Sequence, residues 1–385
     1  MFYETALYVA LALFFIGLIH KVDAWFFHNI GIRAGSIRIA RRAMVVASGI
    51  LRTLFSPKII RWLRVFFVDI LMQWRILKDR KDPLAWGMHI FIFWGFVPLL
   101  LLHALDGIIT VELDPTYQST LNPYMFLRNF FGALLVIGLV LAIIRRLILL
   151  KKRIWTSVSD IYILVFLIVL SGSGFLLEGT KIISNSAYSA MVEDYAGPLD
   201  PDEARALEAY WVNAYGLASS SVRPPFSPEV LNAGMQLSEA SCLECHSQPQ
   251  SAFVSYSISR LLLPIAGFLD KASFSSILWY VHIVAAFSGL AFFVFTKLFH
   301  VVGTPVSLMM AELSNPKSQE PGVAVMCQLI ERDGCRHGGL CHAECPVRGR
   351  RMQRIELLRP YEPMLQYIDQ KSAESLGSRN VKTQQ

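Results

Sequence analysis

The sequence predicts an all-α integral membrane protein: a bundle of five transmembrane helices with a long outer loop and a cysteine-bearing inner tail. Three observations predict it. Apolar residues make up 54% of the 385 positions and mean hydropathy is positive, which separates the chain from soluble globular proteins. Stretches of roughly 20 apolar residues, the length a helix needs to cross hydrocarbon, recur near 4–20, 85–107, 126–149, 157–179 and 274–300. The charged residues between these stretches fall into clusters of alternating sign.

The first span (1–24) carries Glu4 before it and Lys21 after it and has no small-residue cleavage site, so it reads as an uncleaved anchor with its N-terminus outside. The following loop, 25–83, is basic. From Lys21 to residue 83 there are thirteen Lys or Arg against four acids. Lys and Arg are retained on the cytoplasmic side, so this loop belongs inside, and its close flanking spans argue against a nucleic-acid partner. Within it, residues 59–78 are apolar enough to consider as a further span. Arg61, Arg64, Asp69 and Arg75 favour instead a helix lying in the membrane interface.

Spans two to four occupy 84–181. Asp106, Glu112 and Asp114 mark their outer turn, and Arg145, Arg146, Lys151, Lys152 and Arg153 their inner one. The next segment, 182–273, is acidic: residues 182–256 hold nine acids against Arg205 and Arg223. It belongs outside, and its Pro-rich part, 197–230, predicts irregular chain with one short helix near 201–215. The fifth span, 274–300, returns the chain to an inner tail, 301–385. The expected location is a bacterial cytoplasmic membrane, with lipid around the bundle.

Cys242-Leu243-Glu244-Cys245-His246 in the outer loop is the C-x-x-C-H pattern of c-type haem attachment. Cys242 and Cys245 would form the thioethers and His246 would be an axial iron ligand; a disulfide is the plainer alternative. Attachment takes place on the outer side of the bacterial membrane, where the charge bias independently puts the loop. Met235 and Met191 are the candidates for the sixth ligand, Met235 being favoured.

Histidine inside an apolar span is costly and therefore a functional suspect. The second span carries His89 and His103, and the fifth His282 and His300. Separations of fourteen and eighteen residues are close to whole numbers of helical turns, so each pair is expected on one face of its helix. The spans run in opposite directions. His89 would therefore meet His300 near the inner surface and His103 would meet His282 near the outer one, giving two bis-histidine b-haem sites. Gly95, Ser171, Gly172, Ser173, Gly174 and Gly289 are small enough to leave room for a macrocycle. His20 and His28 lie at or beyond the inner end of the first span.

With these residues in place, the chain resembles the dihaem cytochrome b subunits typified by the gamma subunit of respiratory nitrate reductase. It is similar also to the membrane subunits of the sulfite-reductase-associated and tetrahaem-cytochrome complexes of sulfate reducers. The likeness covers roughly residues 1–310. It implies haem ligation by His89, His103, His282 and His300 and electron exchange with menaquinol or menaquinone. The chain departs from the pattern in the wider histidine spacing of the second span, the c-haem loop and the cysteine tail.

Quinone chemistry needs a proton-handling group. Asp106, one turn beyond His103, and Glu178 and Lys181 at the end of the fourth span could serve an outer quinone site, or act as plain interfacial anchors. In the tail, Cys327, Cys335, Cys341 and Cys345 form C-x7-C-x5-C-x3-C-P, partly in register with the bacterial ferredoxin run. A [4Fe-4S] cluster, a zinc site helped by His337 or His342, and a tail without cofactor are the three readings.

The function expected is electron transfer in a respiratory transmembrane complex. It would run between a periplasmic, multihaem c-type cytochrome and menaquinone, a cytoplasmic iron–sulfur subunit of heterodisulfide-reductase type, or both. A quinol:cytochrome c oxidoreductase working at the outer face and a haem-bearing anchor are the alternatives.

Overall fold

The computed structural model describes residues 2–27, 39–80, 82–113, 117–151 and 158–313. Cys327, Cys335, Cys341, Cys345, His337, His342 and His28 lie outside the described residues. All regular structure among those described is helical. Six helical stretches are long and apolar enough to cross a membrane: Phe2–Phe26, Pro83–Ala104, Tyr124–Ile148, Val158–Ile183, Phe253–Lys271 and Phe274–Phe292. Five of these coincide with expected spans; the other, Phe253–Lys271, falls in the stretch read as outer loop. The chain is a multi-pass membrane protein that divides into two units, one of Met1–Lys81, Leu150–Ile163 and Gly289–Gln385, the other of Asp82–Leu149 and Leu164–Ser288.

In the first unit, α1 (Phe2–Phe27) presents aromatic residues to the segment around residues 293–299. Phe14 lies 6.0 Å from Phe293 and Trp25 lies 5.9 Å from Phe299, ring centre to ring centre. After α2 (Ile39–Leu54), residues 58–80 do not form one helix. They divide into α3 (Lys58–Arg64), a wide π-helical turn at Val65–Leu71 and α4 (Trp74–Arg80), with Gln73 in the left-handed region at φ 51°. Arg75 pairs with Asp69 across that break at 3.1 Å, and Trp62 Nε1 donates to the Met309 carbonyl. No piece of this segment is long enough to cross a bilayer.

The fifth expected span also ends early. Its helix, α13 (Phe274–Phe292), stops eight residues before His300. Thr296 then caps a short 3₁₀ turn, Lys297–Phe299, and His300 begins a separate helix, α14 (His300–Leu313). The cause is tertiary: Lys297 forms an ion pair with Asp160 at 2.9 Å, and its N–H donates to Ser159 Oγ. His282 and His300 therefore do not share one helix face.

The second unit begins with α5 (Pro83–Ala104). Asp82 caps it by accepting from the Ala85 N–H at 2.9 Å while its other oxygen pairs with Arg145 near the end of α6 (Tyr124–Lys151). At the opposite end the Tyr124 hydroxyl donates to the Leu102 carbonyl. α5 and α6 are thus antiparallel. Their backbones meet where Gly95 and Gly138 lack side chains: a Cβ on Gly95 would stand 2.4 Å from Leu135 N, and one on Gly138 would stand 2.7 Å from Ile92 N. Gly95 closes a helix contact; it does not leave a gap for a macrocycle.

α7 (Val158–Ile183) returns antiparallel to α6, its Glu178 carboxylate accepting from Asn129 Nδ2 at 2.8 Å. Beyond it stand α8 (Asn185–Tyr195) and α9 (Pro201–Tyr215), the latter on the positions read as helix. Asp200 and Glu203 close a capping box at its start, and Gly216 ends it at φ 81°. α10 (Pro228–Ser241) packs on α9 so closely that a Cβ on Gly234 would lie 2.0 Å from the Ala206 carbonyl oxygen. α11 (Phe253–Leu262) and α12 (Ala266–Lys271), joined through Pro264, then lead into α13.

Replacing Gly95 by Ala forces α5 and α6 apart, and such overpacking costs about 1–3 kcal/mol. The midpoint of detergent-induced unfolding should fall accordingly; an unchanged midpoint would refute the close crossing.

Candidate functional site

His103 stands in the last turn of α5, its Nδ1 2.8 Å from the Leu99 carbonyl oxygen. His282, eight residues into α13, has Nδ1 3.1 Å from the Leu170 carbonyl oxygen and 3.1 Å from Ser173 Oγ. A carbonyl only accepts, so Nδ1 carries the proton in both rings and Nε2 keeps its lone pair, the tautomer that metal-ligating histidines use. The ring centres lie 6.4 Å apart with planes inclined at 41°. A ligating imidazole nitrogen stands about 2 Å from its metal and about 1 Å from its own ring centre, so two rings on one metal have centres about 6 Å apart. The residues fit a group ligated from both sides. Gly174 makes room for the His282 ring, since a Cβ there would stand 3.1 Å from its Cε1.

His89, half-buried on α5, belongs to the second unit, and His300 to the first. His300 repeats the same arrangement, donating from Nδ1 to the Lys297 carbonyl.

Cys242 caps the end of α10 and is buried, whereas Cys245 is exposed; both are free thiols. The His246 N–H donates to the Cys242 carbonyl at 2.9 Å, winding the motif into one turn. Burial holds the His246 imidazole below its ordinary pKa and so keeps it neutral. Burial pushes the Cys242 thiol up, and it does the same to the neighbouring phenols of Tyr188 and Tyr215. Trp211 packs between those two rings. Met191 is packed into the apolar cluster of Tyr188, Leu207 and Leu217. Met235, on α10, is 37% exposed.

Sequence reasoning missed the residues that hold this motif in place. Thr120 Oγ1 donates to the Cys245 carbonyl, and the Ser247 N–H donates to the Thr120 carbonyl at 3.0 Å. Asn122 binds Ser247 Oγ through its N–H and Ser251 Oγ through Nδ2, each at 2.8 Å. Two residues later comes Tyr124, bonded to Leu102 beside His103. The Cys242–His246 turn and the His103–His282 pair are thereby gathered at one end of the second unit. Ser, Thr and Asn in a short connection carry no periodic signal, so only the fold could reveal this clamp.

The three expected quinone-site residues are not brought together by any contact among the described residues. Glu178 Oε2 accepts from both Asn129 Nδ2 and Ser255 Oγ, the latter at 2.6 Å. Lys181 is exposed one turn further on. Asp106 keeps a buried Oδ1 with no hydrogen-bond partner.

Over 128 residues, 31% of its length, the chain is 36% identical to one component of the dihydromethanophenazine:CoB–CoM heterodisulfide reductase of Methanosarcina thermophila. It is 31% identical to the corresponding component of the Methanosarcina barkeri enzyme over the same length. It covers 47% of each, and so spans about half the length of these curated relatives. The chain is related to components of membrane redox complexes. Over 308 residues, 76% of its length, it is 22% identical to the EtfAB:quinone oxidoreductase of Syntrophomonas wolfei, of which it covers 36%. No family model and no solved structure matches it.

Alkylation of the two free thiols at pH 8 followed by peptide mapping should modify exposed Cys245 well before Cys242. Burial raises the Cys242 pKa and so depletes its thiolate, the reactive form. Equal rates would show that Cys242 is not buried.

Proposed function

We propose that the chain is a membrane electron-transfer subunit of a respiratory redox complex. It would connect a periplasmic c-type cytochrome with menaquinone, with a cytoplasmic iron–sulfur subunit, or with both. The observation that carries this reading is the His103–His282 pair, whose rings stand at a separation suited to one shared metal and whose Nδ1 protons are already committed to carbonyls. The names of the relatives, a heterodisulfide reductase component and a quinone oxidoreductase, support the class of partner.

In this reading five helices cross, with the N-terminus and the 182–273 segment outside and the tail inside. His103 and His282 hold an outer b haem, His89 and His300 an inner one. Cys242 and Cys245 attach a c haem that His246 ligates, with Met235 as sixth ligand. When bound, these groups supply one-electron carriers whose potentials depend on axial ligand and burial. The protein's own part is positional. Leu99, Leu170 and Lys297 carbonyls fix the histidine tautomers, and Thr120 and Asn122 hold the Cys-x-x-Cys-His turn near the outer pair. Exposed Glu193, Asp194, Asp202, Glu203 and Glu244 offer an acidic face to a lysine-rich cytochrome. The tail cysteines would meet the cytoplasmic subunit through an iron–sulfur cluster.

A second reading, quinol:cytochrome c oxidoreduction at the outer face, is favoured by Asp106, whose unpartnered buried Oδ1 one turn past His103 could take a quinol proton. Glu178 suits a structural role better, because its oxygen already accepts two hydrogen bonds.

His282→Ala should lower protohaem from two to one per chain in a pyridine haemochrome assay while covalent c haem stays at one. Unchanged protohaem would refute the outer site. Glu178→Gln, which retains an accepting oxygen, should keep quinol-dependent haem reduction within about twofold. A loss of two orders of magnitude would instead make Glu178 a proton carrier.

A further inference from the structure

We infer that Phe253–Lys271, although apolar and long enough to span a bilayer, lies along the outer membrane interface and inserts one face into the lipid headgroup region. Both ends of the segment are tied to neighbouring helices. At the start of α11 the Val254 and Ser255 N–H groups both donate to Asn129 Oδ1 at 3.2 Å, so a residue of α6 caps this helix. Ser255 Oγ donates to Glu178, and Gly179 lies so close that a Cβ there would stand 2.9 Å from the Ser255 carbonyl oxygen. At the other end Asp270 Oδ1 accepts from Ser184 Oγ at 2.5 Å and from Ser186 Oγ at 2.8 Å.

The contacts of Ser255 and of Asp270 therefore fall at positions 178–179 and 184–186. Six helical residues, from 178 to 184, rise about 9 Å, whereas the fifteen from 255 to 270 would rise about 22 Å if they ran across the membrane. Both ends are tied to one layer, so the segment must run across the ends of α6 and α7 and cannot follow their axes. The bend through Pro264 between α11 and α12 serves that path.

The two faces differ. Ser255, Ser259, Ala266 and Leu269 are buried against the protein, while Leu261, Ile265 and Phe268 are 80%, 49% and 72% exposed. Leu261 lies near the end of α11, Ile265 in the turn and Phe268 in α12, with exposed Arg260 and Lys271 bracketing them. An apolar face edged by basic residues, adjoining spans whose own outward faces are apolar, matches lipid at the level of the headgroups. The haem ligands have no part in this placement.

The test places tryptophan at Leu261→Trp and, separately, at Phe268→Trp in the full-length protein in phosphatidylcholine vesicles. The lipid is brominated either near the glycerol or near the chain terminus, and quenching is read as the difference from the unsubstituted protein. Stronger quenching by the shallow bromine at both positions is expected. Deep quenching at 261 with shallow quenching at 268 would mean that the segment crosses. Absence of quenching at both would mean that protein covers the face. Either result overturns the inference.

Discussion

Asn129 is 1% exposed within a transmembrane helix, where an unsatisfied amide would cost several kcal/mol. Every polar atom of that side chain has a use. Its oxygen accepts from two backbone N–H groups at the start of α11, and its nitrogen donates to Glu178 on α7. Glu178 in turn takes the Ser255 hydroxyl. One buried knot thus joins α6, α7 and α11. α11, which this knot fixes at its start, follows the Cys-x-x-Cys-His turn and leads through α12 to α13 and His282. Removing Asn129 would leave the two α11 N–H groups unpaired and take one of two hydrogen bonds from the Glu178 carboxylate.

The histidines show the complementary economy. An imidazole in a membrane span must satisfy two nitrogens with different needs. The carbonyls of Leu99, Leu170 and Lys297 each take one Nδ1 proton, and the remaining nitrogen of each ring is left with its lone pair. For His103 and His282 that lone pair, in an apolar setting, is a cost that metal ligation would offset. The local geometry of His103 and His282 is therefore preorganised by backbone atoms, and Gly174 supplies the space that the His282 ring occupies.

Periodicity alone misled where tertiary forces broke a helix. Eighteen residues between His282 and His300 look like five turns, yet Lys297 is drawn to Asp160 and the neighbouring phenylalanines pack on α1, so the helix stops at Phe292. Residues 59–78 look like a single interfacial helix, yet Gln73 turns the chain and Asp69 pairs with Arg75 across the bend. In both cases a charged or polar residue in an apolar run found a partner by bending the chain, an option that pattern matching along one axis does not contain. Two glycines expected to leave room for a macrocycle meet protein instead: Gly174 makes room for the His282 ring and Gly95 meets a helix backbone.

What the sequence by itself determined is the helical membrane class, the approximate position of five spans and the helix at 201–215; it also supplied the candidate ligands Cys242, Cys245, His246, His103 and His282. These follow from hydrophobic run length, capping chemistry and the intrinsic ligand character of Cys and His, all of which are local. Only the tertiary structure decided that His103 faces His282 at 6.4 Å, that Thr120 and Asn122 clamp the Cys-x-x-Cys-His turn, and that Glu178 accepts from Asn129 and Ser255. The physical reason is that burying a polar group demands a specific partner, and partners such as Asn129 and Ser255, 126 residues apart, are brought together by folding and by nothing in the local sequence.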